Sequence, residues 1–234
     1  MTQTPIPLVF LPGFMLDESL WDEVVERLGP HAPTVCLRLE PGASTEEIAD
    51  GIANAAPPRF VLVGFSLGGY LARKVAERHP QRVAALVLVA TSLRVDSAAR
   101  EKSKRDAVTS MRADSFRGLG SGSIAKSLHP SRRDDKALIA RIKRMGERLG
   151  YAALVTQTQL RRDQIAASTL RCPTLVIAAA DDALRSAEET QELAEAIPNA
   201  SLRVIGNSGH MLPLEQPGAL ADMIKQWLAA LGPL

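Results

Sequence analysis

The stretch Phe60-Val61-Leu62-Val63-Gly64-Phe65-Ser66-Leu67-Gly68-Gly69 decides how the rest of the chain is read. Its first four residues form a short apolar run, of the kind a strand shows when both faces of its sheet are covered. Leu67 to Glu77 reads as a helix, stopped by Pro80. Gly64-x-Ser66-x-Gly68 therefore falls on a sharp strand-to-helix turn, the context in which this pattern carries a nucleophile. A serine on such a turn occupies a strained backbone conformation. Side chains at the flanking positions would collide, which explains glycine at 64 and 68. Gly69 gives further room for close helix–strand packing. The free N–H groups at the helix start can stabilise a developing anion.

The same alternation extends in both directions. Leu8 to Leu11 is a fully apolar run ended by Pro12-Gly13, and Val35 to Leu37 is a second candidate strand. Val83 to Val89, Thr174 to Ala178 and Ser201 to Ile205 are further apolar runs. Helical patterns stand between them. Ser19 to Leu28 places Trp21, Val24, Val25 and Leu28 at helical spacing. Ser44 with Glu47, and Ser186 with Glu189, form capping boxes that open helices, the first running to about Ala56 and the second carrying Leu193 and Ile197 on one face. Pro217 to Leu231 closes the chain as a helix. Short apolar strands alternating with helices of ten to fifteen residues indicate βαβ units, so the expected class is α/β with an open, mostly parallel sheet.

The 234 residues suffice for one sizeable core, since a chain of this length buries about 70% of its unfolded surface. Hydrophobic content of 46% and charged content of 23% exclude a disordered or collagen-like chain. Cys36 and Cys172 form no CxxC pattern, so neither a disulfide framework nor a zinc site is expected. The longest apolar run, Val83 to Ala90, falls far short of the ~20 residues a membrane-spanning helix needs. The start Met1-Thr2-Gln3-Thr4-Pro5 lacks a basic n-region, and the expected setting is cytoplasmic, away from membranes.

The net charge of +2 hides an asymmetry. Residues 92–170 hold 17 Lys and Arg against 8 Asp and Glu, an excess of +9, while the remainder holds 11 against 18. This segment has no convincing strand. Leu138, Ile142, Met145 and Leu149 make an apolar helical stripe, with Arg141, Lys143, Arg144 and Arg148 largely elsewhere around the helix. Gly118 to Ser123 reads as a flexible break between helices. The expected organisation is a core of residues 1–91 and 171–234, with 92–170 as an all-helical insert at one edge of the sheet, at its carboxyl ends.

A lone serine needs a base, and the base needs a third group to orient it. Asp181 and Asp182 follow one predicted strand and His210 follows the next, both at carboxyl ends where open α/β sheets place their sites. The other three histidines, His31, His79 and His129, read as capping or surface residues beside prolines.

Four stretches together resemble the α/β-hydrolase superfamily in its compact form with a helical cap. They are Leu8 to Phe14, Gly64 to Gly69, Cys172 to Ile177 with Asp182, and Gly209 to Pro217. The resemblance implies Ser66 as nucleophile, His210 as base and Asp182 as orienting carboxylate. Relatives carry the acid one residue before a Pro-Leu pair; Ala183-Leu184 stands there, which favours Asp182 over Asp181. It also implies an oxyanion hole from the backbone N–H groups of Phe14 and Leu67. Pro12, Ala179 and Ser186 depart from the common His, Gly and Pro of the family, and none removes a catalytic group. The chain starts near the family's third strand, so a sheet of about six strands with a cap after the fourth shared strand is expected.

The activity implied is hydrolysis of a small-molecule carboxylic ester through an acyl-enzyme, with no metal or organic cofactor. Enol-lactone, thioester and carbon–carbon hydrolysis run on the same triad, and a non-enzymatic ligand receptor uses the same fold. Phe65 and Met211 adjoin catalytic positions and are candidates either for substrate contact or for core packing. The basic segment reads first as a solvated, arginine-rich helical surface, and the alternative is a docking face for an acidic carrier protein or a coenzyme A thioester. It is short of aromatics, with Phe116 and Tyr151, and nucleic acid is not expected.

Overall fold

The computed structural model describes residues 6–30, 32–42, 44–95, 97–162 and 167–232, with Arg100 described by its backbone alone. His31 lies outside the described residues. Six strands form one sheet: β1 (Leu8–Leu11), β2 (Thr34–Cys36), β3 (Phe60–Phe65), β4 (Val83–Val89), β5 (Thr174–Ala179) and β6 (Ala200–Ile205). All neighbours run parallel, in the order β2-β1-β3-β4-β5-β6. The four inner strands are buried along their whole length, as their unbroken apolar runs require.

Alternate residues serve opposite faces. Phe10, Phe65, Val87 and Ile177 meet α1 (Asp22–Leu28) and the C-terminal helix through Trp21, Val24, Leu220 and Ile224. Val9, Leu62, Leu88 and Val176 meet α2 (Thr45–Ala55) and α3 (Leu67–Arg78) through Ile48, Ile52, Leu71 and Val75. The expected Ser19–Leu28 helix is a 3-10 turn, Glu18–Trp21, followed by α1. The buried Asp17 starts that turn, its carboxylate accepting the N–H and hydroxyl of Ser19. Ser44 caps α2 by accepting the Glu47 N–H.

Between β4 and β5 the regular elements among the described residues are all helical, α4 (Ala98–Thr109), α5 (Ser121–Ser127), α6 (Lys136–Gln159) and two short 3-10 turns. Two expectations need correction here. The segment leaves and re-enters the sheet between two inner strands, not at an edge, because β4 and β5 are neighbours within the sheet. Nor is Gly118–Ser123 a flexible break. Ser121 to Ser123 belong to α5, and Gly118 (φ +77°) presses so closely on α6 that a Cβ there would lie 2.4 Å from the Lys143 carbonyl oxygen. The stripe Leu138, Ile142 and Met145 is buried against the core, and Leu149 is half-buried. α6 is interrupted at Gly150, whose backbone is non-helical.

After β5 come α7 (Ala187–Ala196), capped by Ser186, then α8 (Leu212–Glu215) and α9 (Pro217–Leu231). Ile197 is the C-cap of α7 and not part of it. The short α8 had no signal in the sequence, since Leu212 to Glu215 makes one turn with a proline in it. No helix among the described residues is long and apolar enough to cross a membrane.

Candidate active site

Ser66 stands between β3 and α3 with φ 50° and ψ −111°, a conformation that non-glycine residues rarely adopt. The fold over-determines it. The Ser66 N–H donates to the Val89 carbonyl, and its own carbonyl accepts the Gly69 N–H and the Thr91 hydroxyl. The flanking glycines are required by close approach. A Cβ at Gly64 would lie 2.4 Å from the Gly68 carbonyl oxygen, and one at Gly68 would lie 2.4 Å from that of Pro12. Gly69 abuts Thr91, just beyond β4. The missing side chain at 68 thus lets the start of α3 rest on the Leu11–Pro12 backbone, joining the loop that bears Phe14 to the helix end that bears Leu67.

His210 follows β6 and is buried. Its Nε2 lies 3.0 Å from Ser66 Oγ and its Nδ1 lies 2.7 Å from Asp182 Oδ2. The Asp182 side chain is only 2% exposed, and its Oδ1 accepts the N–H groups of Leu184 and Arg185. Asp181 is different: its side chain is 44% exposed and among the described residues reaches only His129 Nε2, at 3.6 Å. The structure thus brings Ser66, His210 and Asp182 together and leaves Asp181 aside. His79 caps α3 and lies 2.8 Å from Asp50, while His129 caps a 3-10 turn by accepting the Ser131 N–H.

Phe65 is fully buried, and its ring packs at 5.1 Å from the His210 ring and edge-on to Trp21. Met211, 6% exposed, lies in the same core layer. Phe14 is half-buried in a turn closed by the Leu16 N–H donating to the Gly13 carbonyl. Its backbone N–H and that of Leu67 have no partner among the described residues. No group of three or more His, Cys, Asp or Glu side chains among them could hold a metal ion.

The helical segment is bolted to the site loops by polar contacts that sequence reading missed. The His210 N–H donates to the Ser127 carbonyl at the end of α5. Glu215, also buried, accepts the His129 N–H and the Ser208 hydroxyl. Arg148 of α6 pairs with Asp17, and the Met15 N–H donates to Gln157 Oε1. Apart from Ser208 and Glu215, seven residues apart, these partners lie 83 to 142 positions apart in the chain, beyond the reach of any local pattern. Of these residues, His210 and Glu215 alone fall within the stretches marked by resemblance.

A family model described as the alpha/beta hydrolase fold matches residues 56–217. The chain belongs to this family. Among curated relatives, a pimeloyl-[acyl-carrier protein] methyl ester esterase of Vibrio vulnificus (strain YJ016) is 39% identical over 102 residues, 40% of each chain. One of the same name from Klebsiella pneumoniae (strain 342) is 39% identical over 94 residues, 36% of each chain. The chain thus matches about two fifths of the length of these relatives. Among solved structures, a thermophilic esterase from Thermogutta terrifontis superposes with a TM-score of 0.79 at 28% identity, over 98% of this chain and 92% of that one. An enol-lactonase from Burkholderia xenovorans LB400 shares the fold, with a TM-score of 0.81 at 17% identity over 98% and 94%.

Proposed function

We propose that this hydrolase-family chain cleaves carboxylic esters of small molecules by two-step acyl transfer. The observation that carries the reading is the continuous path from Ser66 Oγ through His210 to Asp182, at 3.0 and 2.7 Å. His210 Nε2 takes the hydroxyl proton as Ser66 Oγ forms a bond to the substrate carbonyl carbon. Asp182 fixes the tautomer and stabilises the imidazolium. The N–H groups of Phe14 and Leu67 hold the oxyanion, each worth about 3 kcal/mol of barrier. The C–O bond to the leaving group breaks as His210 returns the proton to that oxygen. Water, deprotonated by His210, then releases the acid and frees Ser66. The names of the curated relatives support ester chemistry over the thioester and carbon–carbon alternatives, and the enol-lactonase among the solved structures keeps a lactone, itself a cyclic ester, within the same reading.

Sustained turnover of p-nitrophenyl acetate and butyrate is expected. Ser66→Ala should lower kcat by at least about 10⁴-fold, as in enzymes whose triad acts as a unit. A receptor on this fold would give negligible or single-turnover release in the wild type, and that result would discard the enzymatic reading.

A carrier-borne ester is the second reading, favoured by one observation. Lys126, Arg133, Lys136, Lys143 and Arg144 on α5 and α6, and between them, make no ion pair among the described residues, unlike Arg141 and Arg148, which pair with core carboxylates. An acidic carrier fits such a surface, and encounter would be speeded at low salt. The rate on an acidic-carrier ester should then fall steeply as salt rises while the rate on p-nitrophenyl acetate stays level. Equal responses would remove the carrier.

A further inference from the structure

Resting on the ester-hydrolase reading above, the geometry points to Gln157 as a positioning residue that aims the oxyanion hole from the far end of α6. The Gly13–Leu16 turn has Met15 as its third residue with φ 55°, the signature of a type II turn, which ordinarily puts glycine there. A methionine in that position is strained, and a flip of the peptide between Phe14 and Met15 would relieve it. In such turns the central N–H usually points to water. Here Met15 is fully buried, so its N–H must find a protein acceptor. Gln157 Oε1 is that acceptor, at 2.8 Å.

Two further facts bear on the role. Gln157 is 3% exposed, and its Nε2 is buried with no partner among the described residues. It stands beside a mostly apolar cluster formed by Met15, Phe116 and Leu154. An apolar side chain would avoid burying the unpartnered Nε2 but would orphan the Met15 N–H, so the amide is justified by the acceptor it supplies. α6 also holds the other side of Met15, since a Cβ at Gly146 would lie 3.2 Å from the Met15 carbonyl oxygen. The neighbouring peptide carries the Gly13 carbonyl, tied by the Leu16 N–H, and on its opposite edge the Phe14 N–H. With both peptides pinned, the Phe14 N–H has one direction in which to point. Gln157 touches no reacting atom and acts through that donor.

The test uses the full chain with p-nitrophenyl butyrate and with a trifluoromethyl ketone, whose serine adduct carries the oxyanion. Gln157→Met keeps volume and helix propensity and removes the acceptor. We expect kcat to fall roughly 10- to 100-fold, less than the 10²–10³ that loss of a whole oxyanion donor costs. KM should stay within about twofold, and inhibition by the ketone should weaken by the same factor as kcat. Gln157→Glu keeps an acceptor in the same place and should restore kcat to within about threefold of wild type. Should Gln157→Met fail to fold, Gln157→Ala takes its place against Gln157→Glu. A Gln157→Met enzyme with wild-type kcat and ketone inhibition would overturn the inference and leave the ester reading standing. Equal losses in Gln157→Met and Gln157→Glu would also overturn it, by assigning the effect to packing. Absence of turnover in the wild type would overturn both readings together.

Discussion

The nucleophile turn and the seam between the helical segment and the core differ in how far side chains take part. At the turn, backbone touches backbone. Gly64 meets the Gly68 carbonyl and Gly68 meets those of Leu11 and Pro12, with no side chain between. At the seam, backbone meets backbone where Gly209 lies against His129 and the His210 N–H reaches Ser127, and elsewhere side chains bridge the gap: Arg148 to Asp17, Gln157 to Met15, Glu215 to His129. Backbone contact leaves no freedom to adjust, because no rotamer can move aside. A polar bridge has several degrees of freedom and a partner that water can partly replace. The first holds Ser66 in a strained backbone conformation. The second suits a part that must sit accurately yet could shift.

This contrast is sharpest at Gly68. Gly68→Ala places a methyl against two carbonyl oxygens that cannot yield, and should cost about 3 kcal/mol or more of stability and at least ~100-fold in kcat. A control lies on α2, where a Cβ at Gly51 meets nothing within 4 Å. Gly51→Ala should raise stability by roughly 0.5–1 kcal/mol and leave kcat unchanged. Thermal melts with ester kinetics on both variants read the difference. Equal effects would mean that backbone apposition at 68 is looser than its geometry requires.

The seam predicts a smaller effect. Arg148→Met strips the buried Asp17 carboxylate of its cation while leaving its bonds to Ser19. A fully buried pair broken this way costs 3–5 kcal/mol, but the Arg148 side chain is 49% exposed. About 1–2 kcal/mol is expected, a fall of roughly 3–6 °C in Tm. Adding Asp17→Asn should recover part of it, since the uncompensated charge is then gone. No change in Tm in the single variant would show a seam held by its apolar stripe alone.

The same contrast explains what could be read from the sequence. The inner strands were legible because burial on two faces leaves an unbroken apolar run, as in Val83 to Val89, which matches β4 residue for residue. Ser44 and Ser186 announced their helices by local chemistry three residues long. Ser66 was legible because its turn needs glycines at fixed offsets, and His210 and the two aspartates because they follow strands. Choosing between Asp181 and Asp182 was beyond local pattern and leaned on family resemblance; in the structure only Asp182 faces the imidazole. The place of the helical segment was misjudged because strand order is a non-local property, and nothing near residue 92 says that β5 lies beside β4. Asp17, Arg148, Gln157 and Glu215 stayed silent for the same reason. A buried ion pair or amide bridge leaves no periodicity, and each partner alone looks like an ordinary surface residue.

The chain order of the proposed triad has its own consequence. The hydroxyl is carried at position 66 and the imidazole 144 residues later, beyond the final strand, so the two meet only when the sheet has closed from β3 to β6. Pairings of such long range form late in folding. An early intermediate that holds the elbow but not the last βαβ unit would therefore be inert, and ester turnover in this molecule would serve as a clock that starts only once the whole sheet is built.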